Sequence, residues 1–116
     1  YLAYSNEGDV IGWCNANDKT SFQALSTGTA PEGAPRIKSV VCFIIDKAHR
    51  RQGIASLLLQ RVIADARLQH YDIIEAYPSL RARTDSGNYR GPLALYLKHG
   101  FTSEKHGRQS LVRLYL

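Results

Sequence analysis

Apolar and polar positions divide the chain into short strand-like runs, one long helical run and one short one. Residues 1–4 and 9–15 flank the turn-forming stretch Ser5-Asn6-Glu7-Gly8-Asp9 and predict a β-hairpin. Residues 15–36 show no regular period, and the Gly- and Pro-rich stretch 27–35 reads as a surface loop. Residues 38–46, KSVVCFIID, are nearly continuously apolar, which predicts a strand buried on both faces. From Gln52 to about Gln69 the apolar positions Ile54, Ala55, Leu58, Leu59, Val62 and Ala66 recur at helical spacing. A second apolar strand is predicted over 72–77 and ends at Pro78. After a polar loop over 79–91, Pro92 suits the first turn of a short helix over 93–99, with Gly100 as its C-terminal cap. Two strands over 101–105 and 110–116 complete a single mixed α/β domain covering residues 1–116.

Composition narrows the partners. At 44% hydrophobic residues the chain can build one core, and no apolar run approaches the ~20 residues of a membrane-spanning helix. No membrane partner is expected, and with no targeting signal visible at Tyr1 the expected location is cytoplasmic. Cys14 and Cys42 sit in apolar runs and read as small buried hydrophobes, and none of the four histidines forms a ligand-like pair, so no metal is expected. The net charge of +5 favours an anionic ligand: nucleic acid, a membrane surface or a polyphosphate.

The tightest basic cluster, His49-Arg50-Arg51, lies between the buried strand and the long helix, directly before Gln52-Gly53-Ile54-Ala55-Ser56. The first amides of a helix lack internal acceptors and point along the positive end of its dipole. With a glycine and small residues beside them, they can meet a pyrophosphate closely. The glycine alone would equally suit an ordinary helix start. Neither GxxxxGK[ST] nor GxGxxG is present.

Arg50-Arg51-Gln52-Gly53-Ile54-Ala55 resembles the [Q/R]-x-x-G-x-[G/A] signature of the GCN5-related (GNAT) N-acetyltransferases. Leu95-Tyr96-Leu97-Lys98-His99-Gly100-Phe101 resembles their LYxxxGF helix end, one helix and one strand later. Gly12-Trp13-Cys14, Cys42-Phe43 and Glu75-Ala76-Tyr77-Pro78 are further similar to a branch of bacterial GNAT proteins. The resemblance implies the GNAT acyl-CoA N-acyltransferase fold, without the N-terminal strand and two helices that usually precede the hairpin. It implies acetyl-CoA as co-substrate, and a small-molecule or peptide amine as acceptor. Phe43, Ile44 and Ile45 fall where the family's bulged central strand meets pantetheine and the thioester. Arg50, Arg51, Gln52, Gly53, Ile54, Ala55 and Ser56 fall where the pyrophosphate is held. Tyr96 falls where a tyrosine protonates departing coenzyme A, and Glu75 where some members keep a base.

A glutamate inside the run Ile73-Ile74-Glu75-Ala76-Tyr77 is costly to bury unless paired, which favours a raised pKa; facing solvent or pairing with an arginine is the alternative. Asn88 stands one step from the cofactor-contacting asparagine position of many members, which Tyr89 takes here. Trp13, Tyr77 and Tyr89 are candidates to line an acceptor pocket, and self-association as a homodimer is open. Two other functions compete with catalysis. One is an idle acyl-CoA-binding fold. The other, a basic nucleic-acid module, is disfavoured because the charges are dispersed rather than gathered on one aromatic-rich face.

Overall fold

The computed structural model describes residues 1–22, 32–78, 92–106 and 109–116. Their strands are β1 (Leu2–Tyr4), β2 (Val10–Asp18), β3 (Ile37–Ile45), β4 (Ile73–Ala76), β5 (Thr102–His106) and β6 (Gln109–Tyr115). The helices are α1 (Ile54–Leu68) and α2 (Leu93–Lys98). One sheet runs in the order β1-β2-β3-β4-β6-β5. Its neighbours are antiparallel except β3 and β4, which are parallel and joined through α1. A parallel pair needs such a crossover, and a helix is its usual form.

The predicted order of elements holds, and the differences have local causes. β2 continues to Asp18 because Ala16, Asn17 and Asp18 pair with Val40, Ser39 and Lys38 of β3. Ladder bonds there override the poor strand preference of Asn and Asp. Asp18 then accepts a hydrogen bond from the Thr20 amide and starts a short 3-10 turn over Lys19–Ser21.

α1 buries Leu58, Leu59, Val62, Ile63 and Ala66, adding Ile63 to the predicted face. Each larger member contributes about 1.5–3 kcal/mol of burial. They share a core with Cys14, Val40, Phe43, Ile74, Ala76, Tyr96, Phe101 and Val112. α1 ends on His70, whose φ is +61°. The His70 amide bonds to the Arg67 carbonyl at 3.2 Å and the Tyr71 amide to that of Ala66 at 3.0 Å. That is the Schellman arrangement, here with a non-glycine residue in the left-handed position.

β3 is not buried on both faces along its whole length, as its sequence suggested. Lys38 and Ser39 are buried, whereas Ile44 is exposed. Lys38 is accommodated because its ammonium donates to the Tyr1 hydroxyl at 2.7 Å and lies 5.0 Å from the Tyr1 ring centroid. Across the sheet, Ser39 pairs with Glu75 and Glu75 with Arg113. Strand alternation therefore puts these three on the face opposite the one bearing Ile74, Ala76 and Val112.

Candidate functional site

The link from β3 to α1 is pinned at both ends. The Asp46 amide donates to the Ile11 carbonyl at 2.8 Å, and Arg50 Nε donates to the Ile45 carbonyl at 3.2 Å. Asp46 Oδ2 lies 2.7 Å from His49 Nδ1. Arg51 and Gly53 then take left-handed backbone, with φ of +62° and +79°. Gly53 is thus the N-cap of α1, outside the helix, whereas the sequence suggested a helix starting at Gln52 with the glycine in its first turn. A positive φ cannot continue a right-handed helix, so the helix begins at Ile54.

The first rung of α1 runs from the Leu57 amide to the Gly53 carbonyl at 3.0 Å. The amides of Ile54, Ala55 and Ser56 therefore form the open helix end. A Cβ placed on Gly53 would meet nothing within 4 Å, so the approach to these amides is open. Arg50, Arg51 and Gln52 are exposed beside them. The arrangement suits a polyphosphate: aligned donors, a positive dipole end and flanking cations.

The second feature is a divergence inside the sheet. Parallel pairing of β3 with β4 ends at Val40 and Ala76. Pairing with β2 continues through Phe43, Ile44 and Ile45, opposite Cys14, Trp13 and Gly12. The register of β2 against β3 slips between Asn15 and Ala16, which leaves Val41 as the extra residue of a bulge. Among the described residues no strand pairs with 41–45 on the β4 side. An extended polar ligand could use the backbone groups of that free edge.

Glycine at position 12 allows α1 to start close to β2. A Cβ there would lie 2.8 Å from Ile54 Cγ2, 3.2 Å from Ile45 Cδ1 and 3.3 Å from Leu58 Cδ1.

α2 brings Tyr96 to the same end. The Gly100 amide bonds to the Leu97 carbonyl at 3.2 Å and the Phe101 amide to that of Tyr96 at 3.1 Å. Gly100 has a φ of +89°, so this is a glycine Schellman cap, and Pro92 is the N-cap rather than the first helical residue. The accompanying apolar contact is the edge-to-face pair of Tyr96 and Phe101, with ring centroids 5.3 Å apart. Phe43 of β3 lies 6.5 Å from Tyr96 on the same measure. Tyr96 is 0% exposed. Burial pushes its phenol well above the usual range, with Cys14 and Cys42 adding to the effect, and burial lifts the Cys14 thiol to about 12.

Glu75 is 1% exposed and tightly engaged. It receives Arg113 Nη2 at 2.8 Å, Arg113 Nε at 2.9 Å, Lys19 Nζ at 2.9 Å and the Tyr77 hydroxyl at 2.9 Å. Burial alone would raise its pKa. Hydrogen bonds from Lys19, Arg113 and Tyr77 outweigh burial and hold the carboxyl below its usual range. The raised pKa expected from sequence is corrected, and the arginine-paired alternative describes the residue. Arg113 also reaches Glu104 at 2.9 Å. Tyr77, pushed up to about 12 by burial and by Glu75, touches Ser39 at 3.3 Å between hydroxyl oxygens.

The structure thus gathers Gly53, Ile54, Ala55 and Ser56 at one helix end and packs Phe43 against Tyr96. Glu75 sits on the opposite sheet face from the Tyr96 core. Asn88 and Tyr89 lie outside the described residues. Sequence reading named Gly12 only within a resembling stretch, without its packing role, and missed Lys19, Arg113 and a contact between Ser56 Oγ and His99 Nε2 at 2.6 Å. No local signal marks these contacts, because each joins residues far apart in sequence.

Comparison with known proteins adds three findings. The family model described as Acetyltransferase (GNAT) domain matches residues 1–103. No curated protein matches the chain. Solved structures share its fold. A GCN5-related N-acetyltransferase from Kribbella flavida aligns with a TM-score of 0.69 at 19% identity, over 99% of this chain and 66% of that one. An acetyltransferase of the GNAT family from Streptococcus pneumoniae aligns at 0.66 and 20%, over 99% and 65%. The NatC complex bound to Gag peptide and CoA aligns at 0.64 and 16%, over 99% and 69%. The chain therefore spans about two thirds of the length of these structures.

Proposed function

The chain belongs to the GNAT acetyltransferase family, and from that premise we propose that it moves an acetyl group from acetyl-CoA to a primary amine by direct attack within a ternary complex. One observation carries the reading: the open end of α1, the edge of β3 beyond Val40 that no described strand pairs on the β4 side, and the helix bearing Tyr96 converge at one end of the sheet. The amides of Ile54, Ala55 and Ser56 hold the pyrophosphate, with Arg50 and Arg51 beside them. The backbone of Phe43, Ile44 and Ile45 aligns the thioester and donates to its carbonyl oxygen as negative charge develops there.

In this reading the neutral amine attacks the carbonyl carbon, the carbon–sulfur bond breaks, and the sulfur leaves as thiolate. Tyr96 supplies the proton that turns thiolate into thiol. In water a phenol near 10 and a thiol near 8.5 make that transfer uphill by about 2 kcal/mol. Burial raises both acids, as it does Tyr96 and Cys14 here, so the difference between them is changed less than either value. The ammonium formed on the acceptor loses its proton to water, and Tyr96 regains a proton from water, which restores the phenol. Glu75 is too strongly stabilised as an anion to serve well as the base, so we give it the task of ordering the opposite face through Lys19 and Arg113. The acceptor is a small-molecule or peptide amine, and the working compartment is the cytoplasm; no described helix is long and apolar enough to cross a membrane.

A second reading, an acyl-CoA binder without turnover, draws on the complete burial of Tyr96. Two measurements test both. Acetyl-CoA at a hundredfold over Kd should stabilise the fold by about 2.7 kcal/mol. An amine screen should release free thiol. Stabilisation without thiol release across a broad screen favours the second reading, and absence of any stabilisation removes both.

A further inference from the structure

The helices flanking the open end of the sheet are joined side chain to side chain. Ser56 Oγ and His99 Nε2 are 2.6 Å apart. Ser56 is the third residue of α1, so its amide belongs to the helix end described above. His99 closes α2, with its own amide bonded to the Tyr96 carbonyl at 3.0 Å. A single short contact therefore links the anion-facing turn to the helix that carries Tyr96.

The shared proton has two placements. If Ser56 donates it, Nε2 is a bare acceptor and Ser56 Oγ presents only lone pairs to its surroundings. If Nε2 carries the proton and donates, the serine hydroxyl is released to donate elsewhere. A phosphate oxygen at the α1 end repels the first arrangement and attracts the second. An imidazolium adopts only the second, because both of its nitrogens carry hydrogen.

We propose that His99 is a positioning residue for the anionic portion of coenzyme A, turning the Ser56 hydroxyl toward phosphate and tying tight binding to a proton on its own ring. The proposal rests on the coenzyme A reading given above. Burial and the neighbouring Lys98 hold His99 below the usual histidine range, so the ring is neutral near pH 7 in the free protein. From α1 it faces the uncharged Ser56, and Lys98 is the charged group that acts on it. A bound anion adds attraction where Lys98 supplies repulsion and so raises the pKa of the ring. Affinity is then constant at high pH, increases as pH falls through the raised value of the complex, and levels off below the value of the free protein.

The probe is 3′-dephospho-coenzyme A, because the 3′-phosphate of the full cofactor would itself titrate near a pKa of about 6. Calorimetric titration from about pH 8 to about pH 5 should show affinity rising about three- to tenfold for the wild-type chain, the equivalent of half to one pKa unit. His99→Gln and Ser56→Ala should bind with no such rise, and Ser56→Thr should restore it. In the unsubstituted protein, the nuclear magnetic resonance titration of the His99 ring should move to higher pH when the probe is added, a readout that needs no variant to fold. Wild-type binding that is independent of pH, a slope retained in His99→Gln, or an unmoved His99 midpoint overturns the proposal and leaves the coenzyme A site standing. Failure of the wild-type chain to bind the probe or acetyl-CoA at any pH overturns both.

Discussion

Replacing Glu75 by Gln tests the most constrained polar cluster in the molecule, because the change keeps shape and removes charge. The carboxylate accepts four contacts, two from Arg113 at 2.8 and 2.9 Å, one from Lys19 at 2.9 Å and one from Tyr77 at 2.9 Å. The amide oxygen can still receive Arg113, but the amide nitrogen then faces Lys19, so one charge-assisted bond is lost outright and others weaken. Charge-assisted hydrogen bonds contribute about 1.5–3 kcal/mol each. Breaking a buried pair costs about 3–5 kcal/mol when the remaining charge is stranded. Here Arg113 keeps Glu104 and Lys19 can turn to water, so about 2–4 kcal/mol is expected. At about 4–8 °C per kcal/mol for a domain near this size, the melting temperature should fall by at least about 8 °C.

The pH dependence fixes the cause. The folded pKa of Glu75 is depressed, so its stabilisation is present above the unfolded carboxylate value of about 4.3 and is lost as pH falls through the folded value. Urea unfolding of both proteins across this acidic window should show a steeper loss for the parent than for Glu75→Gln. A destabilisation below about 0.5 kcal/mol with parallel pH profiles would refute the reasoning. A variant of unchanged stability whose acetyl transfer collapses would return Glu75 to the role of base.

Three further substitutions follow from the same geometry. Gly12→Ala should cost about 1–3 kcal/mol by overpacking against Ile54 and Leu58 and should weaken acetyl-CoA binding by displacing the start of α1, as read by thermal melts with and without ligand. His70→Gly should raise stability by about 0.5–1 kcal/mol in urea unfolding, because the side-chain strain relieved at a φ of +61° exceeds the added freedom of the unfolded chain. Tyr96→Phe keeps the ring packed on Phe43 and Phe101. Turnover should fall roughly ten- to a thousandfold with acetyl-CoA affinity little changed, and unchanged turnover in a chemistry-limited assay would remove the hydroxyl from the mechanism.

Features built from neighbours in sequence are legible in the sequence alone. The α1 stripe and the Gly100-Phe101 helix stop depend on local spacing, and both stand where the pattern placed them. Gly53 was legible as a special position but not as a cap, since its sign of φ is not written in its identity. Features that depend on strand register were hidden. Glu75 meets Arg113 only because β4 pairs with β6, and Gly12 meets Ile54 only because β2 lies beneath α1. Ser56 and His99 are 43 residues apart and carry no shared motif that would pair them. The continuation of β2 through Asn17 and Asp18 was missed for a related reason, since a partner strand outweighed weak local preference.

α2 spans six residues, far too few for a helix to persist in water by its own backbone bonds. It is held by the side chain of Tyr96, its one fully buried residue, and by the turn that follows. Detaching that ring would unravel the segment, so slow amide exchange in α2 should report the same opening that exposes the hydroxyl to solvent. The group cast as proton donor is therefore also the rivet of its own support. In the proposed mechanism a donor fixed in this way would not travel to the reaction, and the acyl donor would have to enter the sheet far enough to reach it.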